Sequence, residues 1–229
     1  MKDLWKVVVG FLVFLALGVL ASILIRNLAG GPSVILADPR CAAPCWNGIT
    51  PGQTDIEETY SILGETNGVE ENGIMLNYDR DDTLTSIQWY FQRPVPEQLG
   101  TIHFEQDIVT AIDLLSVNSI TLGEAFDLLG EPALLWTRVG SGENNREYLD
   151  VFLLDPARGF RLELVLDIPA GSNEVELKPT TGVFSVLYFD PQAFQRLLEA
   201  RILIPAPGPS FPEDFQAWPG YGPLPVNGE

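Results

Sequence analysis

Apolar residues alternate with polar ones most clearly at Ile87, Trp89 and Phe91 against Gln88, Tyr90 and Gln92, the period of two that marks a strand with one buried face. Around it lie two related stretches, "LNYDRDDTLTSIQ" (76–88) and "IHFEQDIVTAID" (102–113). Each reads as a strand, an acidic turn and a returning strand. Further on, "ALLWTRV", "EYLDVFLL", "GFRLELVL" and "VFSVLYF" give four more strands. The helical period appears at Ile56, Tyr60 and Leu63, and again at Leu122, Ala125, Phe126 and Leu129, spacings that put one apolar face on each helix. Thr54-x-x-Glu57 and Thr121-x-x-Glu124 read as capping boxes at their starts, with Gly64 and Gly130 as stops. Asp190-Pro191 then opens a third amphipathic helix through Phe194, Leu197, Leu198 and Arg201 to about Ile202.

The two helical stretches are also alike in sequence. "ITPGQTDIEETYSILG" (49–64) has a shorter echo in "ITLGEAFDLLG" (120–130), so Leu63 and Leu129 fall at equivalent positions. Helix, strands, helix, strands, helix predicts an α+β class built as two tandem helix-plus-antiparallel-sheet repeats after an N-terminal transmembrane helix. The units run 49–118 and 119–204, the second including the terminal helix.

The ends extend this picture. Val7 to Ile25 carries no charge, and as a helix it would span about 28 Å, the thickness of a bilayer core. It reads as a retained signal-anchor within a stub and anchor at 1–30. Lys2 and Lys6 before it put the N-terminus in the cytoplasm and the main domain outside, on the cell membrane. Residues 31–48 form a linker, and 205–229 a loose, proline-rich extended tail, the alternative being that its Phe211, Phe215, Trp218 and Tyr221 dock on a partner or back on the domain.

Charge removes one class of partner. The net charge is −18, and Lys178 is the only lysine beyond the anchor, so the basic patch that neutralises phosphates is missing and nucleic acid is not an expected partner.

Candidate chemistry is sparse. Cys41 and Cys45 are the only cysteines and read as a small-loop disulfide if that side is oxidising. Cys-x-x-x-Cys with a distant histidine resembles copper chaperones of the Sco type, but His103 falls on the polar side of its strand and reads as an exposed histidine. Asp79, Asp81, Asp82, Glu105 and Asp107 would gather on one rim, the donor type that hard cations favour, without the glycine and terminal glutamate of a calcium loop. No nucleophile elbow, zinc-protease motif, phosphate loop or dinucleotide glycine pattern is present. The chain is therefore expected to be non-enzymatic and without cofactor, the alternatives being a cation- or copper-binding module or a carboxylate-dependent hydrolase.

"ITLGEAFDLLGEP" followed by aromatic-rich strands resembles the helix-to-strand signature of the small outer-membrane-assembly lipoproteins of SmpA/OmlA type, which share their fold with the β-lactamase inhibitor proteins. The resemblance implies a tandem module that binds a protein or envelope component. Cys41 follows Asp-Pro-Arg rather than the small apolar residues of a lipidation signal, and the anchor helix would replace the lipid. Tyr90, an aromatic between Gln88 and Gln92, is the residue singled out as a possible contact.

Overall fold

The computed structural model of the chain describes residues 42–66, 69, 73–90, 99–142, 146–205, 208 and 212–226, the side chains of 99, 117–119 and 212 excepted. All its elements belong to one unit, Asp38–Glu229. A helix α1 (Ile56–Glu65) precedes strands β1 (Met75–Tyr78), β2 (Leu84–Tyr90), β3 (Leu99–Glu105) and β4 (Ile108–Thr121). Helix α2 (Leu122–Leu129) precedes β5 (Leu134–Ser141), β6 (Glu147–Asp155), β7 (Phe160–Asp167), β8 (Glu174–Leu177) and β9 (Gly182–Phe189). Helix α3 (Phe194–Glu199), β10 (Gln216–Ala217) and β11 (Gly222–Pro225) follow.

These strands overturn the repeat architecture. Among the described residues they make one antiparallel sheet in the order β1-β2-β3-β4-β9-β7-β6-β5-β10, with β8 and β11 as a separate pair. Among the described residues the fold is mostly antiparallel sheet with three short helices and not two helix-plus-sheet repeats, and no helix there is long and apolar enough to be the expected membrane span. The physical reason lies at β4 and β9. Each ends a run of strands and would leave an unpaired ladder if the runs stood apart. They pair with each other instead, from Ala111↔Phe189 to Leu115↔Ser185 and again at Ile120↔Val183.

Localisation is corrected as well. Among the described residues no helix is long and apolar enough to cross a membrane. The described structure therefore does not support a single-pass anchor or the orientation drawn from it; the span Val7–Ile25 itself lies outside the described residues.

Directly opposed residues share a face of the sheet, and the register defines what each face carries. Trp89, Gly100, Leu114, Val186, Leu162, Leu153 and Leu135 form one row across seven strands. Its side chains are buried. Gly100 is required there, because a Cβ would come within 2.0 Å of the Trp89 ring. Trp46 stacks on that ring, 5.4 Å between centroids.

The helix ends are only partly as the sequence suggests. Thr121 and Glu124 form the expected capping box, and Gly130 ends α2 at φ 78°. In α1 the cap is Asp55, whose carboxylate accepts from the Glu58 N–H. Thr54 Oγ1 instead accepts from the Thr50 N–H, and the helix runs through Gly64 to Glu65. Helix α3 stops at Glu199, short of Ile202.

The proline-rich end is docked. Gln216 and Ala217 pair with Leu135 and Leu134 of β5, β11 pairs with β8, and Leu224 and Val226 are buried. Trp218 and Tyr221 close on Phe126 of α2, with ring centroids 5.7 and 5.5 Å away. The loose tail expected from composition gives way to apolar burial, since paired ladders and aromatic contacts outweigh the stiffness of proline.

Candidate functional site

The second face of the sheet is divided. Over β9, β6 and β5 an apolar cluster joins Leu187, Phe189, Phe152 and Leu154 to Leu197 and Leu198 of α3 and to Leu203 and Ile204, with Trp136 and Phe215 packed against it. Ala111 on β4 is its outermost member toward β3, and no residue of β1, β2 or β3 belongs to it.

Beyond that limit the same face is polar. Gln88, Thr101, Asp113, Leu187 and Arg161 lie in one row across β2, β3, β4, β9 and β7. Ser86 and His103 lie in the next row, opposite each other. Gln88, Thr101, His103 and Asp113 are half-buried, whereas Tyr90 is 45% exposed. Tyr90 thus sits on the polar face, opposite in sense to buried Ile87 and Trp89, as its place in the alternation predicts.

Arg161 marks the boundary between the two halves. It is buried, and its Nη1 donates to the Leu203 carbonyl at 2.8 Å. Its Nη2 lies 3.5 Å from Asp113 Oδ1 and 3.1 Å from Glu163 Oε2, and also donates to Ser185 Oγ. The Ser185 hydroxyl in turn donates to Glu163 at 3.1 Å, and the guanidinium lies 5.7 Å from the Phe152 ring centroid. Two carboxylates thus surround one buried cation, which a buried guanidinium needs. A neighbouring pair, Arg138 and the buried Asp150, lies at 2.7 Å.

The environment moves two of the titrating groups. Burial lowers the His103 pKa from 6.5 to about 4, and the Arg161 charge pushes the same way, so the imidazole is neutral near pH 7 and offers one donor and one acceptor. Burial raises the Asp113 carboxyl, while Arg161 and the Ser185 hydroxyl oppose the rise. Asp113 and Glu163 are both engaged on Nη2, so the arrangement favours holding a guanidinium over acid–base work.

The remaining sequence candidates separate. His103 does lie on the polar side of β3, but it is half-buried and not the exposed histidine expected. Cys45 is disulfide-bonded and buried. Cys41 lies outside the described residues. Asp79 is engaged in its own turn, accepting from the Asp81 and Thr83 N–H groups, and Glu105 pairs with Arg196 at 3.2 Å. Among the described residues no group of three or more His, Cys, Asp or Glu could hold a metal ion, so neither the acidic rim nor the copper reading gains support.

Sequence reasoning missed Arg161, Glu163 and Ser185. A signal existed in "GFRLELVL", where Arg161 and Glu163 are two apart and therefore share a face of an otherwise apolar strand. Their partner Asp113 comes from a strand that only the β4–β9 junction brings near.

No family model, no curated protein and no solved structure matches this chain.

Proposed function

We propose that the domain is a protein-binding module that works through the polar half of its sheet face, around Gln88, Tyr90, Thr101 and His103. The observation that carries this reading is the division of one continuous face: the apolar cluster under α3 stops at Ala111 on β4, leaving β2 and β3 with an exposed aromatic among half-buried hydrogen-bonding groups. That composition suits recognition of another protein, where a rigid aromatic supplies contact area and neutral polar groups fix the register. The ion pairs around Arg161 stiffen the floor of the surface.

The test is affinity capture with the full chain and with Gln88→Arg, which places a long charged side chain in the middle of the face. The same partner should be recovered by the unaltered chain and lost with Gln88→Arg at an unchanged melting temperature. Equal recovery by both would place the binding surface elsewhere.

A further inference from the structure

The two edges of the large sheet are treated differently. At one end β10, a two-residue strand with Pro219 two positions beyond it, covers Leu134 and Leu135 of β5. At the other end β1 pairs with β2 alone among the described residues, and all four of its residues are exposed. An edge strand turns alternate N–H and C=O groups away from its neighbour, ready to pair with another chain. Met-Leu-Asn-Tyr contains neither of the residues that most often guard an edge, lysine and proline; its protection is limited to its four-residue length and a register shift between Asn77 and Tyr78.

The side chains along this edge are apolar on both faces. Leu76 lies opposite Ile87 on the Trp89 face, and Met75 opposite Gln88 on the polar face. Met75 is 43%, Leu76 39% and Tyr78 55% exposed. Tyr90, diagonal to Met75 in the ladder, continues the exposed apolar strip. Immediately beyond Tyr78 comes an acidic turn with Asp79, Asp81 and Asp82 against one Arg80, all exposed.

We infer that β1 is a docking edge for an extended peptide segment of a partner protein, added as a further strand, apolar at alternate positions and basic at the end that lies beside Asp79–Asp82. Strand addition draws its affinity from main-chain hydrogen bonds and its selectivity from alternate side chains, and the exposed residues here supply both. A second copy of the chain is the poorer occupant. A stable dimer buries on the order of 1,200 Å², far more than a four-residue edge offers, and each copy carries a net charge of −18.

This inference rests on the protein-binding reading but concerns the sheet's edge, which adjoins that face at Met75 and Tyr90, so the two are separated by a change deeper in the face. The experiment pans short random displayed peptides against the immobilised full chain, then makes the enriched peptides synthetically. The expected result is a family with alternating apolar residues and Lys or Arg at one end, which slows hydrogen exchange of the Met75–Tyr78 amides. Leu76→Lys should weaken these peptides about tenfold, whereas Thr101→Arg, on β3 of the polar face and two strands in from the edge, leaves them unaffected. Leu76 is exposed, so the change should not alter melting, and Asn77→Lys on the opposite side of the strand is the second variant. Peptides that protect β2 and β3 alone and are lost with Thr101→Arg would overturn the edge and keep the face. A concentration-dependent dimer abolished by Leu76→Lys would overturn the peptide in favour of a second copy. Absence of any enriched peptide would overturn the edge as well.

Discussion

Arg161 Nη2 on β7 lies 3.5 Å from Asp113 Oδ1 on β4, an ion pair that reaches across the intervening β9 and ties the two runs of strands together. Removing the guanidinium leaves Asp113 and Glu163 facing each other without a cation. Arg161→Leu is therefore expected to cost about 3–5 kcal/mol, the range for breaking a buried pair. Adding Asp113→Asn and Glu163→Gln should recover much of that loss, since the uncompensated charges are then gone. Chemical denaturation of the single and triple variants measures both, and a triple variant no more stable than the single one would assign the loss to packing.

The folding free energy should depend on His103 in a defined window. Its pKa falls from 6.5 to about 4 in the folded state, so below pH 6.5 the unfolded chain takes up a proton that the folded chain refuses. Stability is lost as pH falls from 6.5 toward 4. Asp113 acts in the opposite sense: its raised pKa lets the folded state bind a proton first, so its unfavourable contribution fades as pH falls. At ~1.4 kcal/mol per pKa unit, the shift from 6.5 to about 4 corresponds to about 3–4 kcal/mol in full, of which about 2–3 kcal/mol is lost by pH 4.5. Melting curves at pH 7 and pH 4.5 should show a smaller acid loss for His103→Gln than for the unaltered chain. Equal losses would remove His103 from the account.

Leu63 and Leu129 are both buried, 1% and 6% exposed. Aspartate at either position buries a charge with no partner and should destabilise the domain by several kcal/mol. Urea titration of Leu63→Asp and Leu129→Asp is expected to show large losses for both. A large loss for one alone would mean that α1 and α2 contribute unequally to the core.

For the cysteines, intact mass of the non-reduced full chain should rise by about two hydrogens on reduction, as expected for a Cys41–Cys45 pair. Two thiols alkylated without reductant would contradict it.

Local patterns were legible wherever a short period decides burial. Ile87 and Trp89 point inward and Gln88 and Tyr90 to the other face because a pleated strand alternates, and Thr121 with Glu124 caps α2 because both partners are local. What the sequence did not reveal depends on contacts between distant segments. Nothing near Leu187 says that it will lie opposite both Asp113 and Arg161, so the single sheet and the Arg161 cluster were invisible together. The docked tail was missed for a similar reason: seven prolines after residue 204 exclude a long ladder, but two short strands, β10 and β11, with a few aromatic contacts are enough to hold the segment.

The role of the polar face is tested most directly by measuring Tyr90→Ala twice, once for thermal stability and once for affinity toward the partner captured by the unaltered chain. Tyr90 is 45% exposed and lies outside the apolar cluster under α3. The melting temperature should stay nearly unchanged while binding weakens by more than about 1 kcal/mol, the loss that marks an energetically important contact. A marked fall in melting temperature with unchanged affinity would contradict the account, because Tyr90 would then belong to the packing of the sheet and the partner would bind somewhere else.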